Sequence, residues 1–221
     1  MSTSAEIRFY RVNEPYGEFS NFSKHPVFLA GTTWPTSEHF FQAEKFESAK
    51  DRWEIQRAPS PAEAASMGRD RKRKLRKDWE LVKDDVMRKV VLAKVMQHAD
   101  MREMLLSTGN AVIIEHTTND NYWADGGDGS GKNMLGKILM EIRAELLKDG
   151  PYDELRRPML PPWLKYPELD SSSIGWRMGY GESYISEFGP WYEGLSESGK
   201  LRYQSIYPAT GEWEGYWTAP E

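Results

Sequence analysis

A Pro-rich break just past residue 150 most constrains what this chain can fold into. The segment GPYDELRRPMLPPWLKYPEL (150–169) holds five of the 13 prolines. Each proline fixes φ and removes a backbone donor, so no continuous helix or central strand can run through it. A boundary is predicted there, with a folded domain over 1–149, a Pro-rich linker over 150–170 and an appendage over 171–221. Composition supports the division. Residues 151–221 carry five of nine Trp and eight of 11 Tyr, and their 11 acids against six bases account for the whole net charge of −5. A chain of 221 residues is long enough to bury a core without staples.

Several function classes drop out on composition. With no cysteine, disulfides, thiolate metal sites and cysteine nucleophiles are excluded. The four histidines, His25, His39, His98 and His116, show no metal-ligand spacing, so no metal and no cofactor is expected. The opening MSTSAEIRFYRVNEPYG lacks the basic-then-apolar pattern of a secretion signal. No apolar run of roughly 18 residues occurs, so no membrane association is expected and a cytoplasmic protein is. The acidic balance opposes general affinity for a phosphate backbone but permits a local anion pocket.

Periodicity gives the coarse architecture. Strands are predicted near Arg8–Arg11, Val27–Ala30 and Ala111–Ile114, and a helix from the Thr36-Ser37 cap to about Lys50. Trp79, Val82, Val86, Val90 and Ala93 recur at spacings of three and four, predicting a helix from Asp78 to about His98. Leu135, Ile138, Leu139, Ile142 and Leu146 mark another over about Lys132–Leu147. Beyond the break, GWRMGYGESYISEFGPWYEGL and LRYQSIYPATGEWEGYW alternate aromatics with Gly and polar residues, which reads as short strands. The expected fold is α+β, a mainly helical domain with a few short strands plus a small β-rich C-terminal appendage.

Three clusters can carry chemistry: GEFSNF (17–22), WPTSEHFFQAEKF (34–46) and NYWADGGDGSGKNMLG (121–136). In the second, Glu38, Phe41, Gln42 and Lys45 fall at i, i+3, i+4 and i+7, so one helix face offers an acid, a ring, an amide and a base. The same spacing also fits a solvated ladder. The third nearly spells a P-loop, but Asn133 follows Lys132 where the magnesium-holding Ser or Thr belongs, so nucleotide triphosphate hydrolysis is not expected. Its Gly-rich backbone before a helix could still meet a phosphate. Asp125 and Asp128 flank Gly126-Gly127, where Asp also serves simply to build turns. Seven positive residues between Arg69 and Lys77 form a possible docking strip or a solvated loop.

Taken in order, YGEFSNF, WPTSEHFFQAEKF, MGR, LRKDWE, VMRK, EHTTNDNYW, DGG, GKNMLG and LMEIR resemble the NADAR, or YbiA-like, family of N-glycosidases across about Phe9–Leu147. Two positions depart from its pattern: Ala124 stands where the family usually has glycine, and Asp128 where histidine is also accepted. The segment from Gly150 lies outside the shared region. The resemblance implies hydrolysis of a ribosyl–nitrogen bond. The substrate would be a phosphoribosylamino-pyrimidine intermediate of riboflavin biosynthesis, yielding ribose 5-phosphate, or an ADP-ribosyl adduct of guanine. Nucleic acid would then be a partner only as an ADP-ribosylated substrate. On this reading Glu38 and Asp125 are the catalytic acids. Asn21, Phe22, Gln42, Lys45, Trp79, Trp123, Asp128, Lys132 and Asn133 bind substrate: Asn21 and Gln42 on sugar hydroxyls, Phe22, Trp79 and Trp123 on the heterocycle, and Lys45 or the backbone before Lys132 on phosphate. A non-catalytic binder of ADP-ribose or NAD is the alternative from another class.

Overall fold

The computed structural model describes residues 5–148, 154–155 and 158–218, and the chain divides into two compact units, 1–27 with 33–145 and 28–32 with 146–221. In the first, β1 (Glu6–Phe9) lies parallel to β4 (Val112–Glu115), with Phe9 opposite Glu115. β2 (Val27–Leu29) and β3 (Thr32–Trp34) pair across a tight Ala30-Gly31 turn whose φ values, 53° and 78°, are both left-handed.

The helices of the first unit are α1 (Ser37–Ala43), α2 (Ala49–Gln56), α3 (Pro61–Gly68), α4 (Trp79–Gln97), α5 (Ala99–Ser107) and α6 (Met134–Leu147), whose last two residues belong to the second. Local chemistry starts the first three. The hydroxyls of Thr36, Ser48 and Ser60 accept from the amides of His39, Asp51 and Glu63, satisfying donors that a helix start otherwise leaves unpaired. The continuous helix predicted to about Lys50 is therefore two. Phe46 leaves the helical path to bridge Leu75 and bury itself, and Ser48 caps a new start. In α4 the predicted Trp79, Val90 and Ala93 are buried, with Met87, Val91 and Val95 beside them, while Val82 and Val86 are half-buried; in α6 Leu135, Ile138, Leu139, Ile142 and Leu146 are buried as the periodicity predicts. No described helix is long and apolar enough to cross a membrane.

The C-terminal unit is helical, which corrects the β-rich appendage expected from its sequence. It contains α7 (Pro162–Lys165), α8 (Tyr180–Glu193) and α9 (Glu197–Ile206), with 3₁₀ turns at Ile174–Trp176 and Gly211–Trp213. The aromatics that seemed to alternate recur every four residues instead. Tyr184, Phe188 and Tyr192 stack in succession down one face of α8, with ring planes 25° and 14° apart. On α9, Tyr203 and Ile206 face inward with the adjoining Tyr207. Part of the Pro-rich segment joins this unit. Pro161 enters extended, Pro162 takes the first turn, where a missing N–H costs nothing, and Trp163 buries its ring against Trp213, Tyr216 and Trp217.

Candidate active site

One face of α1, the chain just past β1 and the end of β4 open onto a cavity of about 750 Å³ within the first unit. That is ample for a nucleotide-sized ligand, since small-molecule sites span roughly 300–1,000 Å³. Glu38 enters it from the first turn of α1. Its own amide donates to Asn21 O at 3.1 Å, tying α1 to the loop before β2. The Glu38 carboxylate, only 7% exposed, accepts from Gln42 Nε2 at 2.7 Å. Burial raises its pKa, while Gln42, Lys45 and Arg69 oppose the rise. Gln42 can lie there because Gly68 has no side chain: a Cβ at Gly68 would fall 1.8 Å from Gln42 Oε1.

Asn21, Phe22, Gln42, Lys45 and Trp123 line the same cavity as Glu38. The Asn21 amide donates to Met87 Sδ at 3.2 Å, and its buried Oδ1 has no hydrogen-bond partner. A buried acceptor left this way costs free energy, so it is poised for an incoming donor. Trp123 packs edge-on against Phe41, with ring centroids 5.3 Å apart. Trp79 is a step behind, buried against the other side of Phe41 at 5.1 Å. The Lys45 ammonium lies 5.6 Å from the Phe41 centroid and 5.8 Å from that of Trp79. Burial lowers its pKa and Glu38 opposes the fall.

The Gly-rich loop is arranged differently from its sequence reading. Asp125 is not among the lining residues. Its carboxylate takes His116 Nδ1 at 2.8 Å and the Gly127 amide at 2.9 Å, while its carbonyl accepts from Gly129 and Gly131. Burial pushes the Asp125 pKa up, but these partners outweigh it and hold the carboxyl below its ordinary value. Asp128 is exposed and caps the Ser130 amide. Lys132 places its ammonium 4.7 Å from the Tyr122 centroid. Asn133 is a clamp: Oδ1 accepts from Glu115 N at 3.0 Å and Nδ2 donates to Ile113 O at 2.8 Å, with φ at 50°. The amides of Gly126, Gly127, Gly129, Ser130, Gly131, Lys132, Asn133 and Met134 all donate within the loop. They hold the loop's shape and are not turned out toward an anion.

The structure adds groups that the sequence reading did not nominate. Glu115, at the C-terminal end of β4, lines the cavity; burial pushes its carboxyl up to about 8, with Asp120, Glu38 and Asp125 adding to the rise. Asp120 accepts the amides of Tyr122 and Trp123 at 2.7 and 2.6 Å, turning Trp123 toward the cavity. Arg11 and Lys24, together with Arg69 from the start of the basic strip, line the cavity with Lys45. Of the basic strip, Arg73 pairs with Asp51 and Glu54, and Arg76 with Asp78, so those charges are answered within the fold.

Comparison with known proteins puts this cavity in context. Residues 8–147 match the family model described as the NADAR domain. The chain is 56% identical over 140 residues to N-glycosidase YbiA of Escherichia coli (strain K12), covering 63% of this chain and 88% of that protein. It is 39% identical over 147 residues to a riboflavin biosynthesis protein of Vibrio vulnificus (strain YJ016), covering 66% of this chain and 40% of that one. The NMR structure of the E. coli protein YbiA superposes with a TM-score of 0.62 at 54% identity, covering 66% of this chain and 87% of that one.

Proposed function

This chain belongs to the NADAR family, and from that premise we propose that it is an N-glycosidase cleaving the bond between a phosphorylated ribose and a nitrogen. The observation that carries the proposal is that two carboxyls, Glu38 and Glu115, line the same cavity, both displaced upward in pKa. With its pKa near 8, Glu115 is protonated at neutral pH and can give that proton to the leaving nitrogen. As the C1′–N bond breaks, its electron pair goes to nitrogen and the sugar takes on oxocarbenium character. Water adds its oxygen to C1′ and yields a proton to Glu38, whose burial makes it a stronger base than a solvated carboxylate. The products are the free sugar phosphate and the amine.

The rest of the wall suits such a substrate. Arg11, Lys24, Lys45 and Arg69 can meet the phosphate, Asn21 Oδ1 a ribose hydroxyl, and Phe22 and Trp123 the heterocycle. The name of the Vibrio relative favours a phosphoribosylamino-pyrimidine of riboflavin biosynthesis as substrate, with ribose 5-phosphate released. The test is to incubate the full chain with that intermediate and, separately, with ADP-ribosylated guanine in DNA, following free sugar phosphate and free ADP-ribose. Release of ribose 5-phosphate that disappears in Glu38→Gln supports the reading. Release of ADP-ribose alone replaces the substrate, and no hydrolysis of either overturns it.

A further inference from the structure

His25 is far in sequence from His98 and Asp100, yet each of the three offers a ligand atom within 4.8 Å of the others. From this convergence we propose a divalent-metal site outside the catalytic cavity, formed by His25, His98 and Asp100 and suited to a zinc-class ion. The hydrogen bonds behind the three side chains carry the argument. The Ser23 hydroxyl donates to Glu18 O at 3.1 Å, so toward His25 Nδ1, 3.1 Å away, it can only accept. Nδ1 of His25 therefore carries a proton, and its second nitrogen, Nε2, faces Asp100 Oδ2 at 3.2 Å. That approach needs a positive charge between the two atoms, either the second proton of an imidazolium or a metal ion that takes its place.

His98 is set up in the same way. Its Nε2 donates to the carbonyl of Pro26 at 2.6 Å, which fixes the tautomer and leaves Nδ1 as the basic nitrogen. A histidine whose far N–H is held by a carbonyl or hydroxyl is the usual support for metal-bound imidazole. The two rings meet edge to face, with centroids 4.9 Å apart. Donors around tetrahedral zinc, at bond lengths of about 2.0–2.1 Å, stand roughly 3.4 Å from one another. The group must therefore contract modestly, and the side chain of Asp100, 69% exposed in the first turn of α5, has room to do so. Two His and one Asp leave a position for water.

The site braces a segment the cavity depends on. His25 is tied through Ser23 to Glu18, and between them lie Asn21 and Phe22, both on the cavity wall. An ion at His25 would thus fasten the end of that segment to the junction of α4 and α5.

The experiment titrates chelator-treated full chain with Zn²⁺ alone by calorimetry at neutral pH and follows thermal unfolding with and without the ion. Asp100→Asn and His25→Gln are measured in parallel, with circular dichroism to show that they fold. One zinc per chain, a raised melting temperature, and at least tenfold weaker binding in each folded variant are expected. No zinc binding by the native chain overturns the site. So does binding that both variants retain at native strength. If a variant does not fold, the d–d spectrum of the native chain with Co²⁺ decides. An intense tetrahedral or five-coordinate band supports the site, and a weak octahedral one overturns it.

Discussion

Replacing Glu115 by Gln should stabilise the protein while destroying its activity, and the pH dependence of the gain is the discriminating measurement. Unfolded Glu115 ionises above its ordinary 4.5, whereas the folded carboxyl keeps its proton to about 8. For a carboxyl raised in the folded state, native stability falls as pH climbs between those two values and is level beyond them. At about 1.4 kcal/mol per pH unit, the interval sets a ceiling of about 5 kcal/mol above pH 8. Partial exposure of the residue screens the charge, and roughly 1–3 kcal/mol is the expected gain, or several degrees in melting temperature. Near pH 5 both side chains are effectively neutral in the fold, so Gln should gain less than about 1 kcal/mol. Turnover should meanwhile fall by about 10²-fold or more through loss of the proton donor. Melting curves of both proteins near pH 5 and pH 9 provide the test. An equal shift at the two values, or a variant less stable at high pH, refutes the account of Glu115 as a buried, protonated acid.

Glu38→Gln should leave the melting curve nearly intact and cut turnover by about 10²-fold or more, which steady-state kinetics on the purified variant checks. Gly68→Ala should drive Gln42 off Glu38, since the new methyl would overlap the amide; lower kcat/KM with about 1–3 kcal/mol lost in denaturant melts is the expected outcome. In Asn133→Ala, Glu115 N and Ile113 O both lose a partner, and a loss of about 2–4 kcal/mol should appear in the same melts. A chain ending at Lys148 should retain turnover, because among the described residues those lining the cavity all fall between Tyr10 and Trp123; a folded but inactive truncate would disprove this.

The parts of the site on one helix were legible in the sequence, because helical spacing alone puts Glu38, Phe41 and Gln42 on a common face and α1 keeps that face turned to the cavity, while Lys45 reaches it from the turn after the helix. Glu115 was not. A single acid at the end of a β-branched run carries no local signal, and it is burial in the folded cavity, with Asp120, Glu38 and Asp125 brought near, that raises its pKa. The Gly-rich loop misleads for the opposite reason. Its composition is that of a phosphate cradle, but whether an amide points at a ligand or at Asp125 is decided by backbone geometry that composition does not encode. In the C-terminal unit, glycines interleaved with Tyr184, Phe188 and Tyr192 disguise a four-residue repeat as alternation. His25 and His98 lie far apart in the sequence and meet only through tertiary structure.

The aromatic cluster of the C-terminal unit also determines what light reports about this molecule. Trp163 lies 5.4 Å from Trp213 and 5.3 Å from Trp217, and Trp176 lies 5.6 Å from Trp213. Indoles at such separations exchange excitation and couple their transitions, so a strong near-ultraviolet dichroic couplet and depolarised emission should arise from residues 163–217. The cavity instead holds Trp123, set edge-on to Phe41. Intrinsic fluorescence and aromatic dichroism would therefore be weighted toward the helical tail. Ligand-induced quenching, by contrast, would single out one indole in the other unit.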